Sequence, residues 1–380
     1  MLDFRLTEEQ EQLVAAARRF AKERIIPVAA EADRKAEFPA GLFEAAWENG
    51  LVNITVPPEY GGLGLGELES TMITEELAYG CTGIQTSITA NTLAATPIIL
   101  GGNDEQKKKY LGWLTSEPIC SAYATSEPNA GSDVAGMQCK FTKVGDDYVL
   151  NGSKAWITNA SRAKWFVIFA TEDPAARHKG IAAFIVERDW AGFQVAKHED
   201  KLGQRASDTC VITLEDVKVP KANLLAPAGA GFKLAMETFN TTRPDIGAGA
   251  VGLMRRALDE CVAYAKERKT FGVPIGQHQM VQAMLAEMAI RIEATQLLVR
   301  KAAWALDTKQ RSPLVSSCAK AYGADSAMAT AIDAVQVFGG NGYTKEYPVE
   351  KLMRDAKVLQ IYEGTSQVQR LVIAKTLLGG

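Results

Sequence analysis

The chain is poor in the residues that most often announce a site. It has three histidines, His178, His198 and His278, and six cysteines, Cys81, Cys120, Cys139, Cys210, Cys261 and Cys318. No two cysteines form a Cys-x-x-Cys pair, and the histidines cluster neither with cysteines nor with one another. No metal site is therefore expected. In a chain of 380 residues a disulfide framework is not expected either, and the cysteines read as reduced core thiols of an intracellular compartment. No uninterrupted apolar run is long enough to span a bilayer. Charge of one sign is not in excess. The net charge is −3 with both signs interspersed, which lacks the basic face that nucleic acid requires. There is no Arg-rich, acid-poor leader. The expectation is a bacterial cytoplasmic protein, or a mitochondrial matrix protein whose presequence has been removed. No internal repeat or low-complexity tract is present.

What the chain does have is ample core material. Hydrophobic residues make up 47% and charged residues 23%, ordinary for a globular protein of two or three domains. The first third reads as helical. Thr7-Glu8-Glu9-Gln10 is a capping box, and Leu13, Ala16, Ala17 and Phe20 follow at helical spacing. A short helix is expected near 39–47, a Pro- and Gly-rich loop at 57–64, and another helix over Glu67–Tyr79. Cys81–Thr96 carries no charge, so that helix is buried or lines an apolar cavity. Asn103–Gln106 opens a further helix.

Near residue 120 the period changes. Trp165–Ala170, Ile181–Glu187, Phe193–Lys197 and Cys210–Val219 are β-rich runs bounded by turn residues. Tyr148–Leu150 and Lys154–Thr158, separated by Asn151-Gly152, read as a hairpin. After Gly231 the chain returns to long helices over 231–268, 279–308, 313–338 and 355–378, with a kink or break expected at Pro244. Few, long helices suggest a four-helix bundle. The division is 1–119 helical, 120–228 β and 229–380 helical, an α+β chain.

Three segments carry candidate chemistry. In Ile361–Gln367 a single carboxylate, Glu363, stands between Tyr362 and Gly364 in an otherwise uncharged stretch. A desolvated carboxylate is a strong base, and few other candidates for one exist. Tyr123–Asp133 mixes small hydroxyl residues with Pro and Gly, so its amides and hydroxyls can hold a polar planar ring. Trp156-Ile157-Thr158 ends a strand and offers an indole and a hydroxyl as a wall for a flavin. Taken singly, these are a capping glutamate, a surface turn and a cross-strand aromatic. The glycine clusters at Gly229–Gly231 and Gly339–Gly342 lack the spacing and the strand–helix context of a dinucleotide fingerprint. Gly339-Gly340 reads instead as a helix end where another backbone comes close.

Six segments in order, Tyr123–Gly136, Lys154–Asn159, Thr242–Pro244, Glu267–Gly272, Val335–Gly342 and Tyr347–Gln369, resemble the acyl-CoA dehydrogenase family over essentially the whole chain. Glu75–Gly83 and Tyr347–Lys357 are similar to its medium-chain members. The resemblance implies an N-terminal helical domain, a middle β-barrel-like domain and a C-terminal four-helix bundle, in a homotetramer that binds FAD and an acyl-CoA substrate. By resemblance, Tyr123, Thr125, Ser126, Trp156 and Thr158 border the flavin, and Thr365 and Gln367 flank it. Arg268, Phe271, Gln279, Gln336, Gly339 and Gly340 meet the rest of FAD across a dimer. Ser132 and Arg243 match CoA-binding positions, and Glu363 matches the catalytic base. Thr242, Tyr362 and Gly364 line the substrate. Thr89 stands where medium-chain members carry an acid at the pocket floor, and Asn240 replaces an aspartate near the CoA site. The base of some branched- and long-chain relatives sits beside the arginine matching Arg243, where this chain has Thr242.

The implied reaction is α,β-dehydrogenation of an acyl-CoA to the trans-2-enoyl-CoA. Electrons then pass to electron-transferring flavoprotein, for which Glu215 and apolar residues of Glu67–Tyr79 are docking candidates. Short- or branched-chain dehydrogenases and an O2-using acyl-CoA oxidase are the alternatives, and the chain is shorter than such oxidases.

Overall fold

The computed structural model describes residues 5–379; the Met1–Phe4 lead lies outside the described residues. Seven helices come first: α1 (Glu8–Phe20), α2 (Ile26–Lys35), α3 (Leu42–Glu48), α4 (Glu67–Gly80), α5 (Thr82–Gly101), α6 (Asp104–Gln106) and α7 (Gly112–Ser116). The Thr7 capping box is formed: Gln10 N–H donates to Thr7 Oγ1 (3.2 Å) and Thr7 N–H to Gln10 Oε1 (3.1 Å). The uncharged α5 is buried along most of its length.

Helix α4 has no side-chain cap of its own, because Gly66 precedes it. The cap comes from Asp307, 240 residues later. The Glu67 and Leu68 N–H groups donate to its two carboxylate oxygens at 2.7 and 3.0 Å, satisfying donors that a helix start leaves free.

Eight strands follow: β1 (Cys120–Ala124), β2 (Lys140–Val144), β3 (Asp147–Thr158), β4 (Ala163–Thr171), β5 (Ile181–Glu187), β6 (Phe193–His198), β7 (Thr209–Val219) and β8 (Leu224–Ala226). Their order is β6-β7-β3-β2-β4-β5-β8, with β1 parallel to β4. The sheet is mixed and open, a correction to the barrel-like expectation. β2 meets β4 through the single pair Lys140–Thr171, and β6 and β8 remain its two ends.

The hairpin expected at Asn151-Gly152 is also corrected. β3 runs straight through, with a bulge against β7 between Leu150 and Gly152. Gly152 is needed for clearance rather than reversal: its φ is +144°, and a Cβ there would lie 2.7 Å from the Cys139 Cα. Asn151 instead exchanges two hydrogen bonds with Asp216 across the bulge. The chain reverses at Gly145, between β2 and β3. Pairing of β6 with β7 sets His198 opposite Cys210. This overturns the expectation that no histidine meets a cysteine, because strand pairing brings together residues twelve apart in sequence.

The C-terminal part is α8 (Gly231–Glu267), a small ribbon of β9 (Lys269–Thr270) and β10 (Val273–Pro274), α9 (Gln279–Asp307), α10 (Pro313–Phe338), α11 (Val349–Leu359) and α12 (Ser366–Leu377). No break interrupts α8 at Pro244. Proline removes one backbone hydrogen bond, and the segment on either side of it is buried. The fourth layer of the bundle is two helices, since α11 and α12 pack on α10 and are split by the loop that carries Glu363. The apolar core does not respect the three-part division. One cluster joins Ile98 and Tyr110, the sheet residues Trp165, Phe169 and Ile185, and Leu234 of α8.

Candidate functional site

Glu363 lies in the α11–α12 loop with φ +51°, and Gly364 follows with φ +89°. Two left-handed residues in a row turn the Glu363 side chain inward. That conformation costs a non-glycine residue about 1–2 kcal/mol. Glycine is required at 364 for a second reason: a Cβ there would lie 2.6 Å from Gln369 Nε2. Two donors hold the turn. Gln369 Nε2 donates to the Glu363 and Gly364 carbonyls at 3.2 and 3.0 Å, and Lys320 Nζ donates to the Gly364 carbonyl at 2.6 Å. Thr365 caps α12 through Val368 N–H.

The Glu363 carboxylate accepts a hydrogen bond from Thr242 Oγ1 at 2.8 Å. Burial pushes its pKa above the ordinary value; the Thr242 hydroxyl and then the Lys320 and Arg243 charges oppose that rise. Lys320 is fully buried, and burial pulls its ammonium down to about 8 against the pull of the Glu363 carboxylate. Burial also lowers Arg243. Arg243 Nη1 donates to Asn240 Oδ1 in a short contact and to Ser317 Oγ at 3.4 Å, while its buried Nε has no partner among the described residues. Asn240 thus keeps an acceptor for the arginine. Asn240 also lines a cleft of about 200 Å3, together with Thr241, Arg311 and Ser316. Asp245, one turn beyond Thr242, accepts from Ser70 Oγ (3.1 Å) and Thr74 Oγ1 (3.4 Å), and burial raises it to about 7. Tyr362 is raised to about 12 by burial, and Gln204 Nε2 donates to its hydroxyl at 3.4 Å. Thr89 on α5 accepts from Gln85 Nε2 at 2.8 Å.

Tyr123 and Thr125 are buried, and their hydroxyls lack protein partners among the described residues. A buried ion pair fixes the loop after them. Lys154 Nζ donates to Glu127 Oε1 (2.8 Å) and to the Thr125 carbonyl (3.2 Å), and Glu127 accepts from the Gln138 and Cys139 N–H groups at 2.6 and 3.0 Å. Ser126 accepts Ala155 N–H through its carbonyl, tying the loop to β3. Trp156 is 59% exposed at φ +64°, and Thr158 is half-buried at the end of β3. Ser132 is exposed.

The remaining predicted residues do not join this group within the chain. Arg268, Gln279, Gln336, Gly339 and Gly340 are exposed on the C-terminal part, Gln367 is exposed on α12, and Phe271 is 97% exposed at φ +53°. Gly339 ends α10 as expected, but no other atom approaches a Cβ position at Gly339 or Gly340. The close backbone approach falls at Gly342 instead, against the Val335 carbonyl. Of the docking candidates, Glu215 is exposed, whereas Met72, Ile73 and Leu77 of α4 are core residues. Sequence reasoning missed Lys154, Lys320, Asp245 and Gln369. A signal existed for Lys320, a lone cation in the small-residue run Ser316–Ala321.

Family models cover nearly the whole chain: the acyl-CoA dehydrogenase N-terminal domain over residues 7–118, the middle domain over 122–217 and the C-terminal domain over 229–378. The probable medium-chain specific acyl-CoA dehydrogenase 2, mitochondrial, of Caenorhabditis briggsae is 48% identical across 100% of this chain and 92% of its own length. Among solved structures, butyryl-CoA dehydrogenase from Megasphaera elsdenii superposes with a TM-score of 0.97 at 38% identity, covering 99% of this chain and 100% of that one. A chain from the work on the electron transferring flavoprotein of Acidaminococcus fermentans gives 0.97 at 41%, with full coverage of both. The protein belongs to the acyl-CoA dehydrogenase family. It is an oxidoreductase of a family that depends on FAD. No helix among the described residues is long and apolar enough to cross a membrane.

Proposed function

We propose that the chain dehydrogenates a medium-chain fatty acyl-CoA to the trans-2-enoyl-CoA, with Glu363 as the base that removes the α-proton. The observation that carries this reading is Glu363 itself: a half-buried carboxylate whose pKa desolvation raises, set in a turn of two left-handed residues and held by Thr242. An α-carbon acid needs a base stronger than solvated glutamate, and burial supplies it. Thr242 keeps the carboxylate oriented and ionised. Lys320 and Gln369 hold the loop backbone, and Gly364 removes the side chain that would crowd it. The Glu363 N–H can polarise a thioester carbonyl, an oxyanion-hole device.

The residues present fit FAD. The unpartnered Tyr123 and Thr125 hydroxyls and the outward Trp156 ring suit a planar polar group. In our reading Tyr123, Thr125, Ser126, Trp156, Thr158, Thr365 and Gln367 hold the flavin. Arg268, Phe271, Gln279, Gln336, Gly339 and Gly340, all exposed, hold the rest of the cofactor from a second subunit of a homotetramer. FAD bound there would supply the acceptor for the β-hydride, with electron-transferring flavoprotein as the partner for its reoxidation. Ser132, Asn240 and Arg243 serve CoA, while Thr89 and Tyr362 face the acyl chain. The division at 1–119, 120–228 and 229–380 belongs to the same reading, as does a matrix or bacterial cytoplasmic location.

Anaerobic titration with octanoyl-CoA tests it. Bleaching of the visible flavin band with a long-wavelength charge-transfer band is expected, and butyryl-, palmitoyl- and isovaleryl-CoA then rank the pocket. A flavin that none of these bleaches overturns the substrate class. Peroxide formed in step with substrate loss would make the protein an oxidase.

A further inference from the structure

The β6–β7 hairpin gathers three metal-binding side chains that the dehydrogenase reading leaves unused. His198 and Cys210 are directly paired across the strands, and Asp208 is the residue just before β7, two before Cys210. The three ligand atoms form a tight triangle. Cys210 Sγ is 3.5 Å from His198 Nδ1 and 3.2 Å from Asp208 Oδ1, and His198 Nδ1 is 3.2 Å from Asp208 Oδ1. Tetrahedral zinc, with Zn–S about 2.3 Å and Zn–N or Zn–O about 2.0–2.1 Å, has ligand–ligand edges of about 3.3–3.5 Å. The triangle needs almost no rearrangement to become one face of such a tetrahedron.

A second observation concerns how the carboxylate is held. Ser161 donates to Asp208 Oδ2 through both its N–H (3.0 Å) and its hydroxyl (2.8 Å). Oδ1 is left pointing at the histidine and the cysteine. Hydrogen bonding of the non-ligating oxygen is how metal-binding carboxylates are oriented. Cys210 is buried and Asp208 half-buried with its side chain 6% exposed, whereas the His198 side chain is 69% exposed, so the fourth position faces solvent on the histidine side. One sulfur, one imidazole and one carboxylate is a donor set for zinc-class ions rather than for magnesium or calcium.

We propose that His198, Asp208 and Cys210 form a binding site for a zinc-class divalent cation with one open, solvent-facing position. Cys210 gives up its thiol proton to solvent when the metal–sulfur bond forms, and His198 coordinates as the neutral ring through Nδ1. Metal binding therefore releases a proton and tightens as pH rises. Lys201 also faces Asp208, with its ammonium donating to the Ser207 carbonyl at 2.7 Å, and the incoming cation must share that carboxylate's field. The location has a structural consequence. Cys210 and Thr209 pair with Ile157 and Thr158 of β3, so an ion here clamps the strand that presents Trp156.

The test uses the intact FAD-loaded protein and zinc alone. Equilibrium dialysis is expected to give one zinc per chain, and X-ray absorption should show one sulfur neighbour at about 2.3 Å. His198→Gln lies on the exposed side and should fold unchanged, with the parent flavin spectrum and melting temperature. It should weaken zinc binding at least about tenfold, and Cys210→Ser should remove the sulfur scattering. Failure to bind zinc stoichiometrically, bound zinc without a sulfur neighbour, or an affinity indifferent to His198→Gln would each overturn the site and leave the three residues as a hydrogen-bonded trio.

Discussion

Two lysines, Lys154 and Lys320, are wholly removed from solvent, and their surroundings differ in one respect. Lys154 on β3 meets a buried carboxylate, Glu127, which also takes two backbone N–H groups. Its charge is neutralised where it stands, and the pair pins the loop that begins with Tyr123. Among the described residues Lys320 on α10 is hydrogen-bonded only to a neutral carbonyl, that of Gly364. Its charge is answered from a short distance by Glu363 and opposed by Arg243. The first environment builds a rigid wall. The second leaves a cation with its proton loosely held beside the proposed base. A paired buried charge is architecture, and an imperfectly paired one is available to set the electrostatics of a reaction.

The largest effect should come from removing the group that Lys320 faces. Glu363→Gln keeps the shape of the side chain and should lower kcat by about 10²–10⁴-fold, with octanoyl-CoA binding retained in equilibrium titration. Next comes the neutralised pair. Lys154→Met strands the Glu127 carboxylate and should cost about 3–5 kcal/mol of stability by denaturant unfolding. Adding Glu127→Gln should recover part of that loss, and a Lys154→Met variant of unchanged stability would break the comparison.

The pH profile sharpens it further. Glu363 works as a base only when ionised, so the rate rises with pH through its raised pKa. Thr242→Val removes the strongest influence holding that pKa down and should move the acid limb of kcat to higher pH. Lys320→Met should move it the same way by less, following the order of their influence on the carboxylate. Lys320→Met should also destabilise the protein less than Lys154→Met, because Gln369 still donates to the Gly364 carbonyl. The smallest effect expected lies outside both environments: Asp307→Ala removes the borrowed cap of α4 and should cost about 0.5–2 kcal/mol.

Much of this architecture was legible in the residues. The bounds of α10, Pro313 to Phe338, and the Thr7 capping box are local signals, and local signals are what a sequence carries. Glu363 stood out because nothing else nearby was charged. The misreadings share a cause. Asn151-Gly152 has the letters of a turn, but Gly152 is there because the Cys139 backbone passes close to β3. The open sheet depends on a single pairing between β2 and β4. Lys320, Asp245 and the trio at His198 acquire meaning only from which element lies opposite, and one chain's letters do not record that. Phe271 is the converse case: motif resemblance singled it out, while the isolated chain leaves it in solvent.

The cap that Asp307 lends to α4 also dictates an order of events during synthesis. At about 5–20 residues per second, the ribosome needs roughly 12–48 s after making Glu67 to reach Asp307. Throughout that interval the first N–H groups of the α4 segment have water in place of Asp307, and its packing partners α8 and α9 are still being made. Helix α4 therefore gains its cap and its main packing partner late in synthesis, and a nascent chain stalled before α8 should expose the α4 face that α8 covers and be a client for chaperones.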